Sequence, residues 1–222
     1  MRILVSGFEP FGGHHINPTE YLLEAVEDHS FADIQVELRT LLLPVHYDEC
    51  VELLIREAED FQPDAIIMCG LAAGRTAVSL ERIAVNVKHV EPGAEYADNL
   101  NARPQDVPIR EDGPDGIFST LPIREMTCRL LENGIPAAVS NTAGTFICNN
   151  TMYGVLDYLQ QRHPGVRAGF VHFPASTQMA LHKPTLPSLP MDLMTRALML
   201  IIRTTAEKLQ HDAQELDSAA SL

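Results

Sequence analysis

The sequence is poor in cysteine, and its cysteines are not grouped. The four of them, Cys50, Cys69, Cys128 and Cys148, are widely scattered and show no paired metal-ligand spacing. This pattern excludes a disulfide framework and a cysteine-based metal centre, and it predicts reduced thiols. The adjacent histidines His14 and His15 have no further ligand residues beside them. The sequence therefore predicts neither a metal site nor another cofactor.

Basic residues and long apolar runs are also scarce. The chain has 16 Lys and Arg against 30 Asp and Glu, which gives a net charge of −14. Such a chain would repel a phosphate backbone, so we expect no nucleic-acid partner. No apolar run reaches the length that spans a membrane, and residues 1–6 lead directly into a predicted strand and turn rather than a signal peptide. We therefore expect a cytoplasmic protein without a membrane partner.

The order of predicted elements indicates one α/β domain over residues 1–222. The chain is 45% hydrophobic, enough for one sizeable core, and no Gly- or Ser-rich linker divides it. Strands are predicted at 2–6, 34–42 and 65–68, and helices at 19–28, 47–60, 123–132 and 191–210. Prolines between 174 and 190 indicate a surface loop. The polar residues from His211 to the end are expected to fray.

Cys148 lies where a small-residue loop, residues 140–147, leads into an amphipathic helix. If Thr145 is the N-cap, Cys148 is the third helical residue, close to unpaired backbone N–H groups and the positive end of the helix dipole. Both favour a thiolate over a thiol, which is the nucleophilic form. The alternative is a buried structural cysteine, the commoner fate of this residue type.

A histidine is predicted near that thiol. Residues 135–140 and 167–173 have the patterns of strands, with the helix between them extending to about residue 161. A β-α-β crossover would make the two strands parallel, so that Cys148 and His172 share the carboxyl edge, where open sheets bind ligands. A thiol beside an imidazole can carry out acyl transfer. The alternative for His172 is an ordinary histidine at a strand end.

Glu81 is a third candidate. It begins a predicted strand in which Ile83, Val85 and Val87 form the apolar face, and Glu81 has the same parity. An inward carboxylate requires a partner. Arg82 or Arg75 could form a structural ion pair with it, or it could orient an imidazole as the third member of a triad. Spacing alone favours the ion pair.

Several sequence blocks resemble those of one enzyme family. They are SGFEPFGG at 6–13 followed by Asn-Pro at 17–18, GLAAGR at 70–75, ERIAVN at 81–86, TAGTFICN at 142–149 and GFVHFP at 169–174. DGP at 112–114 and STLP at 119–122 lie between them. In this order they resemble pyroglutamyl-peptidase I, also called pyrrolidone-carboxylate peptidase. The cysteine and glutamate blocks together are the most specific of the set.

The resemblance implies a thiol exopeptidase that removes N-terminal pyroglutamate from peptides. It implies a three-layer α/β/α sandwich of the phosphorylase/hydrolase type around a twisted, mostly parallel mixed sheet. The family's nucleophile falls on Cys148, its histidine on His172 and its glutamate on Glu81. By resemblance the substrate contacts are Phe8, Phe11, Asn17, Leu71, Phe146 and Ile147, with Asn17 ordering the N-terminal loop. Relatives are often tetramers, so a homo-oligomer is expected.

Some positions depart from the family pattern. Many relatives have glutamine and glycine where this chain has Leu71 and Ala73, an aromatic residue in place of Asn141, and histidine in place of Asn150.

Two other functions fit the same fold class. A nucleoside phosphorylase or hydrolase would use Arg75 to hold phosphate, and a catalytically silent binding protein would keep the pocket without an activated thiol.

Overall fold

The computed structural model describes residues 1–13, 15–94, 96–181 and 183–220. His14, one of the two adjacent histidines, lies outside these ranges. The strands are β1 (Arg2–Phe8), β2 (Glu37–Leu43), β3 (Ala65–Leu71), β4 (Val78–Glu81), β5 (Ile83–Val85), β6 (Gly116–Phe118), β7 (Ala137–Ser140), β8 (Arg167–Phe173), β9 (Ala175–Ser176) and β10 (Ser188–Leu189). The helices are α1 (Pro18–Glu27), α2 (Glu49–Phe61), α3 (Ile123–Glu132), α4 (Ile147–Arg162), α5 (Thr177–Ala180) and α6 (Met191–Ala220), with a 3₁₀ helix at Ala32–Ile34.

A six-stranded sheet in the order β2-β1-β3-β8-β4-β7 forms the middle layer. Every neighbouring pair is parallel except β4 and β8, which are antiparallel. The short strands form two further pairs, β5 with β6 and β9 with β10. This arrangement confirms the predicted α/β sandwich around a mostly parallel mixed sheet.

Alternation along the strands separates two cores, one on each side of the sheet. In β1, Ile3 and Val5 pack with α1, α3 and α6, whereas Leu4 faces α2 and α4. In β8, Val171 belongs to the first core and Phe170 to the second. Because side chains alternate along a strand, position in the sequence decides which helical layer a side chain meets.

The direction of β8 differs from the prediction. Residues 135–140 and 167–173 were expected to be parallel, but β7 is parallel to β4, and β4 lies antiparallel to β8 between them. β7 and β8 are therefore antiparallel and do not share a carboxyl edge. The chain that leaves α4 enters the centre of the sheet beside β3. The expected parallel arrangement does not form because β4 lies between β7 and β8, parallel to β7 and antiparallel to β8.

The strand predicted from Glu81 onwards is interrupted at Arg82. β4 ends at Glu81 in the main sheet, and β5 pairs with β6, which the sequence did not predict. In β5, Ala84 is buried and Ile83 and Val85 are only partly buried, so the predicted parity is wrong. Glu81 points towards the α4 layer for another reason: Val78 and Leu80 of the same strand occupy the opposite core.

Two further differences concern the last third of the chain. The segment 174–190, predicted as a loop, contains β9, α5 and β10. The helix predicted to end near residue 210 continues to Ala220. Asp212 supports the extension, because it accepts a hydrogen bond from Arg167 Nε at 3.0 Å and pairs with Lys208 Nζ at 3.0 Å. Fraying of the tail and the single-domain assignment remain predictions.

Candidate active site

Glu81, His172 and Cys148 meet on the side of the sheet that faces α4. Glu81 is the last residue of β4, and His172 is the penultimate residue of β8 and has the parity of Phe170. Cys148 is the second residue of α4. The structure therefore brings the three predicted residues together, although not at a shared carboxyl edge of two parallel strands.

Gly70 makes room for the thiol beside the histidine. It lies in β3 directly opposite His172 in the parallel register. A Cβ on Gly70 would lie 3.0 Å from Cys148 Sγ and 2.8 Å from two ring atoms of Phe170. Since neither distance leaves space for a side chain, only glycine permits Cys148 to approach the sheet at this point.

Glu81 has two partners at one carboxylate oxygen. Its Oε1 lies 2.8 Å from His172 Nδ1 and 2.6 Å from Arg75 Nη1. Glu81 is fully buried, and only 4% of His172 is exposed. The same oxygen atom of Glu81 therefore makes both of the contacts that the sequence suggested, an ion pair with an arginine and a contact with an imidazole.

The surroundings of His172 and Glu81 determine their charges. Burial lowers the pKa of His172, and the nearby Arg75 lowers it further, against the opposing effect of Glu81. Burial alone would raise the pKa of Glu81, but the hydrogen bonds and charge of its partners outweigh it, so that pKa lies below its ordinary value. At neutral pH the pair is thus a carboxylate and a neutral imidazole. If Nδ1 carries the hydrogen that Glu81 accepts, Nε2 is left as a free base.

The charge of Cys148 differs from the prediction. Burial raises the pKa of its thiol to about 12, so the residue is a thiol at neutral pH and not the expected thiolate. The helix start also differs, because Phe146 and not Thr145 is the N-cap, and the Thr145 hydroxyl donates to His89 O at 3.1 Å. Desolvation outweighs the helix dipole here. A base is therefore needed to remove the thiol proton.

Asn149, which the sequence analysis missed, fixes the start of α4. Its Oδ1 accepts from Val85 N–H at 2.9 Å, and its Nδ2 donates to Val85 O at 2.8 Å and Val87 O at 3.1 Å. The side chain is fully buried. The sequence did contain a sign of this role, because a run of polar residues at 149–151 interrupts the apolar face of the helix.

All six predicted pocket residues line one small apolar pocket beside the thiol. They are Phe8, Phe11, Asn17, Leu71, Phe146 and Ile147, together with Val45 and Cys148. The space open to the centre of a water-sized molecule is only about 10 Å³, so the pocket is nearly closed. Aromatic contacts close the pocket, with Phe146 packed against Phe11 and, edge to face, against Tyr96.

Asn17 contributes to this pocket through the backbone that it orders. Its Oδ1 accepts from Thr19 N at 3.1 Å as the N-cap of α1, and its Nδ2 donates to Glu9 O at 3.1 Å. These bonds fasten the N-terminal loop to the first helix, with Pro18 at the first helical position. Asn17 is thus fully engaged within the protein.

A wider cleft of about 460 Å³ adjoins the pocket, and both Cys148 and His172 line it. Leu71, Phe11 and Phe146 border both spaces, and Arg75 lies on the cleft wall. Ala73 lines this cleft, whereas Asn150 is buried and donates to Tyr47 O. Asn141 is exposed. Of the positions that depart from the family pattern, Leu71 and Ala73 therefore lie at the site.

Among the described residues, one group of side chains has the spacing of metal ligands. It consists of His211, Asp212 and Glu215 on α6, and Asp212 is already paired with Arg167 and Lys208. The group lies away from the thiol, on a helix of the opposite layer. Within the same described ranges, no helix is long and apolar enough to cross a membrane.

Known proteins match this chain over nearly its whole length. The family profile for pyroglutamyl peptidase matches residues 1–208. The pyrrolidone-carboxylate peptidase of Halalkalibacterium halodurans is 43% identical over 201 residues, which covers 90% of this chain and 96% of the relative. That of Thermoanaerobacter sp. is 36% identical, with coverage of 94% and 99%.

Solved structures give the same result. The crystal structure of Bacillus amyloliquefaciens pyroglutamyl peptidase I has a TM-score of 0.87 at 33% identity and covers 93% of this chain and 97% of its own. The pyrrolidone carboxyl peptidase from Thermococcus litoralis has a TM-score of 0.88 at 32% identity, with coverage of 95% and 96%. Profile, sequences and structures agree, and the chain belongs to the pyroglutamyl peptidase family.

Proposed function

We propose that Cys148, His172 and Glu81 carry out the reaction of this family, the removal of N-terminal pyroglutamate from peptides. The activity follows from family membership: the chain is a cysteine peptidase. The observation that supports the residue roles is the contact of 2.8 Å between the buried Glu81 and His172, on the sheet face where Cys148 packs over Gly70. An apolar pocket for an uncharged ring lies beside the thiol.

The first step joins the Cys148 sulfur to the substrate carbonyl carbon in a tetrahedral adduct. His172 Nε2 removes the proton from Cys148 Sγ as the sulfur attacks the carbonyl carbon of pyroglutamate, because both groups are neutral at rest. The buried carboxylate of Glu81 stabilises the imidazolium that forms. The Cys148 N–H, which has no acceptor among the described residues, is available to the developing oxyanion.

The leaving peptide then takes the proton. As the C–N bond breaks, the His172 imidazolium protonates the departing amine, and pyroglutamate remains attached to sulfur. Water next attacks the thioester with His172 as the base, the C–S bond breaks, and the thiol regains its proton. The leaving peptide would lie in the cleft that Ala73 and Arg75 border.

The pocket explains why the lactam would be preferred. Pyroglutamate has no ammonium group, so it enters an apolar pocket without leaving a charge unpaired. The space of about 10 Å³ is too small for the ring, so Phe11 or Phe146 must move outwards when substrate binds. The aromatic contacts of Phe146 would then re-form around the ring.

The alternative functions have less support. A phosphorylase would use Arg75 to hold phosphate, but its guanidinium already contacts Glu81 Oε1 and Thr142 O. A silent binding protein would have no use for a buried imidazole held by a carboxylate.

We also propose that the chain is a homo-oligomer, a tetramer by resemblance, and that it acts in the cytoplasm, in line with its four free cysteines. Light scattering would test the tetramer.

Two thiol reagents test the roles of the residues. A pyroglutamyl chloromethyl ketone should modify Cys148, because the lactam delivers the reagent to the pocket. Iodoacetamide should instead react first with the exposed Cys128, since Cys148 is only partly exposed and the pKa of its thiol is raised. Peptide mapping reads both results. Labelling of Cys128 alone by the chloromethyl ketone would remove Cys148 from the mechanism.

Hydrolysis of paired substrates tests the pocket. A pyroglutamyl amide should be cleaved rapidly, and the matching prolyl amide hardly at all, because the prolyl ammonium would enter the pocket without a counter-ion. The desolvation cost is on the order of several kcal/mol. Similar rates on both substrates would contradict the assignment of the pocket.

A further inference from the structure

The strongest unexplained group at the site is the guanidinium of Arg75, which contacts two parts of the machinery. Its Nη1 lies 2.6 Å from Glu81 Oε1, the same oxygen that faces His172. Its Nη2 donates to Thr142 O at 3.1 Å, in the loop that leads to the nucleophile. Arg75 itself follows β3, the strand that carries Gly70.

We propose that Arg75 is a positioning residue, which holds the Glu81 carboxylate under His172 and ties the loop before Cys148 to that carboxylate. The inference rests on the catalytic roles proposed above. Arginine suits this task because its planar fork directs two N–H groups at separate acceptors in a fixed geometry. One side chain thereby links the acid, the base and the nucleophile segment.

The charge balance of the site supports this role. Glu81 is fully buried, and its second oxygen, Oε2, has no hydrogen-bond partner among the described residues. A buried carboxylate with one neutral imidazole as its only partner would be costly. Arg75 supplies the compensating positive charge, so that His172 is free to remain neutral and act as a base.

The same contact bears on the pH dependence of the reaction. Among the described residues, the charged groups that act on His172 are Glu81 from β4 and Arg75 from the segment after β3, and Cys148 from α4 and Tyr96 line the same cleft. Gly70 of β3 has no side chain, and residues 141–146 include no titratable group. Because the charge of Arg75 lowers the pKa of His172, removal of that charge should raise it.

Variants at position 75 test the proposal on a pyroglutamyl amide. Arg75→Gln should lower kcat by about 10-fold to 100-fold, the scale of a small misplacement of catalytic groups, with a much smaller change in KM. The acid limb of kcat/KM should move to higher pH. Arg75→Lys keeps the charge but only one of the two contacts, so it should keep the acid limb near its original position and recover part of kcat.

Arg203→Gln is the matched control. Arg203 also pairs with a carboxylate at 2.6 Å, Asp33 Oδ2, and its side chain is 28% exposed against 31% for Arg75. It lies on α6, in the opposite layer. This variant should leave kcat and the pH profile unchanged. Should Arg75→Gln fail to fold, the pH profile and kcat of Arg75→Lys still carry the test.

The outcomes separate this inference from the proposed mechanism. In a Glu81→Gln background, Arg75→Gln should lower kcat by less than it does in the wild type, because the effect through Glu81 Oε1 is already lost and only the contact with Thr142 O remains to be removed. An Arg75→Gln enzyme with an unchanged kcat and pH profile would overturn the positioning role, even if its unfolding midpoint fell. If Glu81→Gln itself had no effect on kcat, the proposed triad would fail instead.

Discussion

The two faces of the central sheet are built differently. The face covered by α1, α3 and α6 is almost entirely apolar, and the buried hydroxyls of Thr204 and Thr205 bond to carbonyls of their own helix, at 2.7 and 2.8 Å. The face covered by α2 and α4 buries Glu81, His172 and Asn149, whose polar atoms bond across different elements. Both faces bury an apolar core of similar size, and only the second also holds the proposed catalytic residues.

The difference also shows where a substitution acts. On the apolar face, a lost methyl group removes burial and packing but touches no reacting atom. On the polar face, a change of one atom alters a charge or a hydrogen bond while the volume is kept. Stability and turnover should therefore respond to separate sets of residues.

The largest expected effect is that of Cys148→Ala. Loss of the nucleophile should lower kcat on a pyroglutamyl amide by at least about 10⁴-fold, as for other nucleophiles that act with a base. The thermal midpoint should change little, because the removed group is small. Cys128→Ala, at an exposed cysteine, is the control and should keep full activity. Residual activity near wild type in Cys148→Ala would assign the chemistry to another residue.

Glu81→Gln should have the next largest effect. The amide keeps the volume but cannot stabilise the imidazolium, so kcat should fall by roughly 10²-fold to 10⁴-fold. Arg75 loses its charged partner but keeps the bond to Thr142 O and is 31% exposed, so water can solvate it and the stability loss should be modest. Measurements of kcat and of the urea midpoint of unfolding on the same preparation distinguish a catalytic role of Glu81 from a structural one. A large loss of stability with an unchanged kcat would reduce Glu81 to a structural ion pair.

The opposite pattern is expected on the apolar face. Leu198→Ala on α6, at a fully buried side chain, should lower the free energy of unfolding by about 2–5 kcal/mol. The specific activity of the folded fraction should stay unchanged. Leu131→Ala on α3, whose side chain is 54% exposed, should cost less than about 0.5 kcal/mol. A change in KM in the Leu198 variant would show that the two faces are coupled.

The smallest effect is a displacement of the acid limb of activity. Since His172 must be neutral to act as a base and burial lowers its pKa, kcat/KM should rise with pH through a value below the ordinary 6.5. The same shift affects stability. Below pH 6.5 the unfolded chain binds a proton that the buried ring does not, so stability decreases as the pH is lowered, until the pH is below the folded pKa of His172. A limb above pH 6.5 would contradict the neutral pair.

Prediction from the sequence succeeded where structure is local. The periodic pattern gave α3 and β8 their observed bounds, because both elements are uninterrupted and end at clear breaks. Cys148 and His172 were candidates from the pattern of predicted elements, whereas the triad role of Glu81 and the pocket residues came from the family resemblance. The structure brings all of these residues to one site. Spacing alone would have assigned Glu81 to an ion pair, which accounts for only one of its two contacts.

The errors concern properties that depend on distant residues. The direction of β8 is set by pairing with β3 and β4, which lie about a hundred residues away in the sequence. The pKa of Cys148 was predicted to be low from the helix start, whereas burial by the sheet raises it. Neither the direction of β8 nor the pKa of Cys148 can be read from the residues next to it in the sequence.

The hydrogen bonds of Asn149 link the helical turn that carries Cys148, the proposed nucleophile, to an outlying hairpin of β5 and β6. β5 and β6 are joined by the long segment 86–115, in which Lys88 and Val107 form an isolated antiparallel bridge, and the backbone of β5 holds the first turn of α4. Local unfolding of that hairpin would therefore release the thiol from its place while the six-stranded sheet stays intact. A protease that nicks the segment between β5 and β6 should thus silence the enzyme long before the fold itself is lost.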